Sequence, residues 1–187
     1  AKEIKGISYH VYAGLTPDRS QIHEAVSAYN ELYPLVIGLK LFAGQSTGNM
    51  GIVDRASQLA VFRALAEEGY SGVLAVHAEK ESLLRPELYI DGHFETHSLA
   101  RPAEAETESV RDLIELVSEA GFCGTLHIAH VSAAGTVDLI RRAKASGLRI
   151  TMGVTPHHAR LSSADAADHS RFLKMNPPLR SEADRAA

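Results

Sequence analysis

Leu35-Val36-Ile37-Gly38-Leu39-Lys40-Leu41-Phe42 is an almost unbroken apolar run with one ammonium group set into it. A strand that alternates strictly has one wet face, whereas a near-continuous run of this kind predicts a strand of a parallel sheet covered on both faces. Four more runs of the same character lie along the chain, over residues 7–12, 72–77, 125–131 and 148–154. Helical patterns separate them. Thr16 before Pro17 predicts an N-cap with proline at the first helical position, opening a helix towards Tyr33. Asp54 predicts the cap of a second helix, with Leu59, Phe62, Leu65 and Ala66 on one face and Gly69 ending it. A third helix is predicted over about 103–120, closed by Gly121, and a fourth over about 135–146, closed by Gly147.

The rhythm is β-α-β-α, which leaves an open doubly wound sheet or a closed (β/α)₈ barrel. One connection breaks it: residues 78–102 are polar and turn-rich, and an excursion of that length in a compact α/β unit is either functional or a surface decoration. No repeat, low-complexity tract or interdomain linker divides the 187 residues, so a single domain piece is expected.

Composition narrows the function. Apolar residues are 45% and charged residues 22%, which excludes a disordered or fibrous chain. No apolar run approaches the roughly 18 residues of a membrane span, and the charged start predicts no signal peptide. A net charge of -4 gives no electrostatic reason to expect nucleic acid. The lone Cys123 cannot form an internal disulfide, so a reducing cytoplasm is the expected compartment. There is no dinucleotide fingerprint, no phosphate-binding loop with its lysine and no Gly-x-Ser-x-Gly elbow.

What stands out is ten histidines, several at strand ends. Lys40, His77 and His130 follow three consecutive apolar runs, and in either architecture the carboxyl ends of the strands collect functional groups. A strand-end histidine alone can equally be a hydrogen-bonded structural residue. A lysine inside an apolar strand is costly to bury unpaired, and desolvation lowers its pKa towards a neutral amine that can take up carbon dioxide as a carbamate. The other reading is a lysine paired with a carboxylate or reaching solvent. His127 and His130, three apart, should point to opposite faces of a regular strand, which makes His130 the better ligand and His127 structural. His157 and His158 likewise diverge and could orient a ligand or simply pack. His10, His23, His93 and His169 are assigned no chemistry.

The run Leu39-Lys40-Leu41-Phe42-Ala43-Gly44-Gln45-Ser46-Thr47-Gly48-Asn49-Met50 resembles the carboxylated-lysine strand of dihydroorotases, in the cyclic amidohydrolase branch of the amidohydrolase superfamily. Val76-His77-Ala78-Glu79, the stretch from His97 to Glu106, His127-Ile128-Ala129-His130-Val131-Ser132, Thr155-Pro156-His157-His158 and Lys174-Met175-Asn176-Pro177-Pro178-Leu179-Arg180 continue the likeness in order. The resemblance implies a (β/α)₈ barrel with a binuclear zinc centre. Carboxylated Lys40 would bridge two Zn²⁺ ions, His77 and His130 would bind the second, and Asn176 would contact the substrate ring. The implied reaction is reversible closure of N-carbamoyl-L-aspartate to L-dihydroorotate with loss of water, in pyrimidine synthesis. A homo-oligomer such as a dimer is implied too.

Allantoinase or hydantoinase is the alternative within the class, and a non-catalytic partner of aspartate carbamoyltransferase the alternative outside it. The His-x-His pair of the family's first strand, the asparagine after the second and the aspartate of the eighth have no counterpart here. Residues 1–187 are therefore expected to be a partial barrel, strands three to seven, inactive alone. A prediction follows for the flanking sequence of the intact gene product: a His-x-His on an apolar strand upstream, and an Asp at a strand end within about 30 residues downstream, one further βα step. Translated sequence lacking both would refute it.

Overall fold

In the computed structural model, which describes residues 6–46, 48–167 and 171–187, the five apolar runs become β1 (Val11–Gly14), β2 (Val36–Ala43), β3 (Val73–Ala78), β4 (Thr125–Ile128) and β5 (Ile150–Met152). All neighbours pair in parallel, and their order across the sheet is their order along the chain. That order separates the two architectures. A doubly wound sheet reverses direction at a switch point and carries helices on both faces, whereas a chain that always steps one way keeps its helices on one face, as a barrel does.

Burial follows the same logic. Leu39, Leu41 and Ala43 of β2, Leu74, Val76 and Ala78 of β3, and Leu126 and Ile128 of β4 all belong to one core with helix residues Ile22, Phe62, Leu65, Leu113 and Ile140. Each strand contributes residues of a single parity, so the helices cover a single face. The expected coverage of both faces does not hold: the opposite face carries Lys40, Phe42, His77, His127 and Thr151, and its flanking Tyr12 is exposed. The runs read as doubly covered because small and apolar residues such as Gly38 and Ala75 alternate with these polar ones on the second face.

Helix punctuation explains most boundaries. Helix α1 (Arg19–Leu32) starts later than Thr16-Pro17 predicts, because the Asp18 carboxylate accepts from Ser20 N at 2.8 Å and serves as the cap. The Thr16 hydroxyl instead accepts from Asp18 N. Helix α2 (Arg55–Glu67) is capped by Asp54 as predicted, through Ser57 N at 2.8 Å. After a short α3 (His97–Ala100), helix α4 (Ala103–Ala120) ends on Gly121 at φ 66°, a left-handed position that glycine occupies without a Cβ clash. Helix α5 (Ala134–Ala145) follows β4; α6 (Pro156–Arg160), α7 (Ser163–Ala167) and α8 (Glu182–Ala186) are single turns beyond β5.

Other boundaries shift. The first strand is Val11–Gly14 rather than 7–12, and its ladder continues to Leu15, fully buried, whose N–H donates to Lys40 O at 2.9 Å. The excursion at 78–102 is ordered as 3₁₀ turns and α3, pinned at both ends by Lys80 N to Ala105 O and Arg85 N to Ala100 O, each 2.8 Å. Among the described residues no helix is long and apolar enough to cross a membrane.

Phe62 is fully buried between α2 and the sheet, edge-on to Phe122 at 5.6 Å. Phe62→Ala is expected to lower unfolding stability by about 3–5 kcal/mol with an unchanged denaturant slope. Urea denaturation followed by circular dichroism measures it, and a loss under about 1 kcal/mol would mean that the helix layer is not packed as described.

Candidate functional site

Register brings the chemistry together. Lys40 pairs with Ala75, which pairs with His127, so Lys40 and His127 stand level across three strands on the face away from the helices. Phe42 pairs with His77, one step nearer the carboxyl ends. His130 lies beyond β4, which ends at Ile128, and adopts a left-handed φ of 45°. The parity argument therefore fails at His130: the chain has left the strand, and the backbone turn brings its ring to His77. His77 Nδ1 and His130 Nε2 are 3.3 Å apart, with ring centroids at 5.0 Å. His127 faces the same interior, its Nδ1 2.8 Å from Thr151 Oγ1. The charge of Lys40 reaches both rings and helps lower the pKa of each.

Burial sets the electrostatics. Desolvation pushes the Lys40 amine down to about 8, and among the described residues it forms no ion pair; Nζ sits 4.8 Å from the centre of the Phe42 ring. That settles the open reading of Lys40 in favour of an unpaired, partly buried amine. His130 is pushed down to about 3, first by burial, then by the neighbouring His77, Lys40 and His158, which keeps its ring neutral. His77 Nε2 lies 3.1 Å from Glu79 Oε2 but makes no well-aligned hydrogen bond.

These donors fit a metal. Two nitrogens bound tetrahedrally at about 2.0–2.1 Å stand about 3.3–3.4 Å apart, the spacing of His77 Nδ1 and His130 Nε2. A carboxylate behind a ligating imidazole is the usual outer partner, and Glu79 occupies that place. Among the described residues no three His, Cys, Asp or Glu side chains converge, so the third donor available here is Lys40, which becomes an anionic oxygen ligand only once carboxylated.

Sequence reasoning missed the charged layer beneath. Glu79 is fully buried. Arg101 Nε donates to both its oxygens, at 3.1 and 3.0 Å, while Arg180 Nη2 stands 3.9 Å from Oε1. Burial would raise the Glu79 carboxyl, but the adjacent His77 ring and the Arg101 guanidinium outweigh it and hold it at about 2. Arg101 Nη2 also donates to Gln45 O at 2.7 Å, tying in the loop after β2. Arg180 Nε donates to Ser132 Oγ at 3.0 Å, and buried Glu106 accepts from the N–H groups of Ser132 and Ala133, both at 3.1 Å, at the start of α5. These partners are far apart along the chain, and no spacing rule could have joined them.

The remaining candidates are also placed. Asn176 is half-buried, its Oδ1 2.9 Å from His97 Nε2. Buried His158 bonds Pro177 O at 3.0 Å through Nε2 and Thr155 Oγ1 at 2.7 Å through Nδ1, so it supports the Asn176 segment; the His157 ring lies tilted against it, centroids 4.5 Å apart. His23 and His93 pair with Glu68 and Glu95 at the surface, and His10 with Pro34 O. His169 lies outside the described residues.

No family model matches the chain. Among curated proteins, the dihydroorotase of Pelotomaculum thermopropionicum is 38% identical over 147 residues, covering 77% of this chain and 32% of that protein. The dihydroorotase of Lactobacillus johnsonii is 37% identical over 119 residues, 62% of this chain and 27% of its own length. By sequence, this chain is a relative of the dihydroorotases. It spans about a third of the length of the relatives it matches. This dihydroorotase relative also superposes on an L-hydantoinase (dihydropyrimidinase) from Arthrobacter aurescens with a TM-score of 0.81 at 24% identity, over 96% of its own residues and 39% of that chain. A dihydropyrimidinase from Brevibacillus agri gives 0.78 at 22%, over 96% and 39%. That likeness carries the fold: the five βα steps are an arc of a (β/α)₈ barrel.

The depressed Lys40 pKa has a measurable consequence in metal-free protein. A lysine whose folded pKa lies below its unfolded value costs stability in full below the folded pKa and regains it as pH rises towards the unfolded one. Lys40→Met is thus expected to raise stability at pH 7 more than at pH 10. Urea midpoints at the two pH values test this; an equal shift at both would place the amine in water.

Proposed function

We propose that the chain supplies the central rim of a cyclic amidohydrolase active site that interconverts N-carbamoyl-L-aspartate and L-dihydroorotate plus water. The observation that supports this reading is the contact of His77 with His130, two residues along the ladder from Lys40 on the same sheet face, in a chain whose curated relatives, at 36–38% identity, are dihydroorotases.

The chain's own residues have defined tasks. With a pKa of about 8, Lys40 is about one-fifth neutral near pH 7.4, against about a thousandth for an ordinary lysine. The neutral amine adds to carbon dioxide, its nitrogen forming the N–C bond and releasing one proton, to leave a carbamate whose single negative charge is shared by two oxygens. Glu79 favours a proton on His77 Nε2, which leaves the Nδ1 lone pair free towards His130. His130 stays neutral and offers Nε2. Carboxylated Lys40, His77 and His130 would hold zinc, which would supply a lowered water pKa and Lewis-acid polarisation of a carbonyl. Asn176 contacts the substrate ring from the segment that His97 and His158 anchor. Cys123, exposed and free, accords with a reducing cytoplasm.

The test uses the purified full-length protein with a panel of dihydroorotate, allantoin and hydantoin, and a metal analysis. Dihydroorotate turnover with about two zinc ions per chain is expected. Lys40→Ala should cut turnover by more than the 10–100-fold typical of outer partners of a metal site. Opening of allantoin or hydantoin without dihydroorotate would overturn the substrate, and a metal-free, inert protein would mark a scaffold.

A further inference from the structure

Met175 O, Asn176 and His97 form a small polar cluster beside the rim. His97 is 9% exposed, its ring edge-on to Tyr89 at 5.9 Å, and it stands at the start of α3. Its Nε2 is 3.1 Å from Met175 O and 2.9 Å from the Asn176 side-chain oxygen. A backbone carbonyl can only accept, so Nε2 must carry the proton. A ring N–H that donates to Met175 O needs a second acceptor at Asn176, which is the amide oxygen and not its NH₂. Rotating the amide by half a turn would set two donors against each other at 2.9 Å.

We infer that His97 is a positioning residue that locks the Asn176 amide with its oxygen consumed and its NH₂ left to donate to a ligand's acceptor oxygen. The inference rests on the proposed substrate contact of Asn176 and adds which residue orients it and what chemistry it selects. Among the described residues the Asn176 NH₂ has no protein partner, so both its N–H groups are available. Neighbouring anchors keep the cluster in place: His158 holds Pro177 O at 3.0 Å and Arg180 holds Ser132 Oγ at 3.0 Å, fixing the backbone just after Asn176. The ring of His97 is also buried enough to favour its neutral form, with Lys174 and Arg101 adding to that preference. A ligand presenting a carbonyl or carboxylate oxygen is thereby accepted, and one presenting an N–H is refused.

The experiment uses the full-length protein and orotate, an unreactive ring acid, as the probe. Nitrogen-15 NMR of the His97 ring in wild type is expected to show the proton on Nε2. His97→Phe keeps the ring and removes the donor; it should weaken orotate binding in calorimetry about tenfold, the size of one neutral hydrogen bond. In steady-state assays KM should rise while kcat stays within about threefold, the mark of lost uniform binding. His97→Gln, which restores an N–H donor, should return the affinity to within about threefold of wild type. A proton on Nδ1, an undiminished orotate affinity in His97→Phe, or equal losses in both variants would overturn the inference. If His97→Phe does not fold, the wild-type tautomer and the His97→Gln affinity decide. Failure of the substrate reading is distinguishable: wild type would then not open dihydroorotate, while the ring tautomer still tests the lock.

Discussion

A carboxylate with no exposed surface has to be surrounded by donors, and Glu79 is such a group. Its needs recruit Arg101 from α3's end, Arg180 from the C-terminal segment and His77 from its own strand. Arg101 in turn reaches back to Gln45 after β2, and Arg180 reaches Ser132 after β4. Five stretches of chain are thus joined at one end of the sheet by the requirement that a buried negative charge be matched. The rim is assembled around that requirement, and the proposed ligand ring of His77 is oriented by the same carboxylate.

The sheet supplies the other half of the arrangement. Because every βα step goes the same way, one face of each strand is committed to the helices and the other is free to carry polar groups. Lys40, His77 and His127 occupy that second face by parity alone. A lysine placed there is partly buried with no counter-ion among the described residues, which lowers the pKa of its amine. The arrangement places a desolvated amine and two imidazoles on strands of the sheet rather than on its connecting loops.

Two kinds of likeness point in related but different directions. In sequence the chain is similar to dihydroorotases over about a third of their length, whereas the superposed structures are hydantoinases and dihydropyrimidinases at 22–24% identity. The backbone arc is what these share, and it is set by the strand order and the helix layer. Substrate choice depends on particular side chains at the rim, which is why the closer sequence relationship bears on it and the backbone likeness does not.

The amino-acid order by itself determined the βα rhythm, the Asp54 and Gly121 boundaries, the position of Lys40 in a buried strand and the His77 strand end, because each depends on residues within a few positions of one another. It misplaced the α1 cap, since Thr16 and Asp18 compete locally and the stronger acceptor wins. It wrongly set His127 on the face opposite His130, since strand parity says nothing about His130 once the backbone turns left-handed. Only the tertiary structure decided that Arg101 and Arg180 meet on Glu79, that Glu106 accepts from the backbone just before α5, and that His97 holds Asn176. Those contacts join residues with long stretches of chain between them, and buried charge finds its partner through folding in space, a relation that local spacing does not encode.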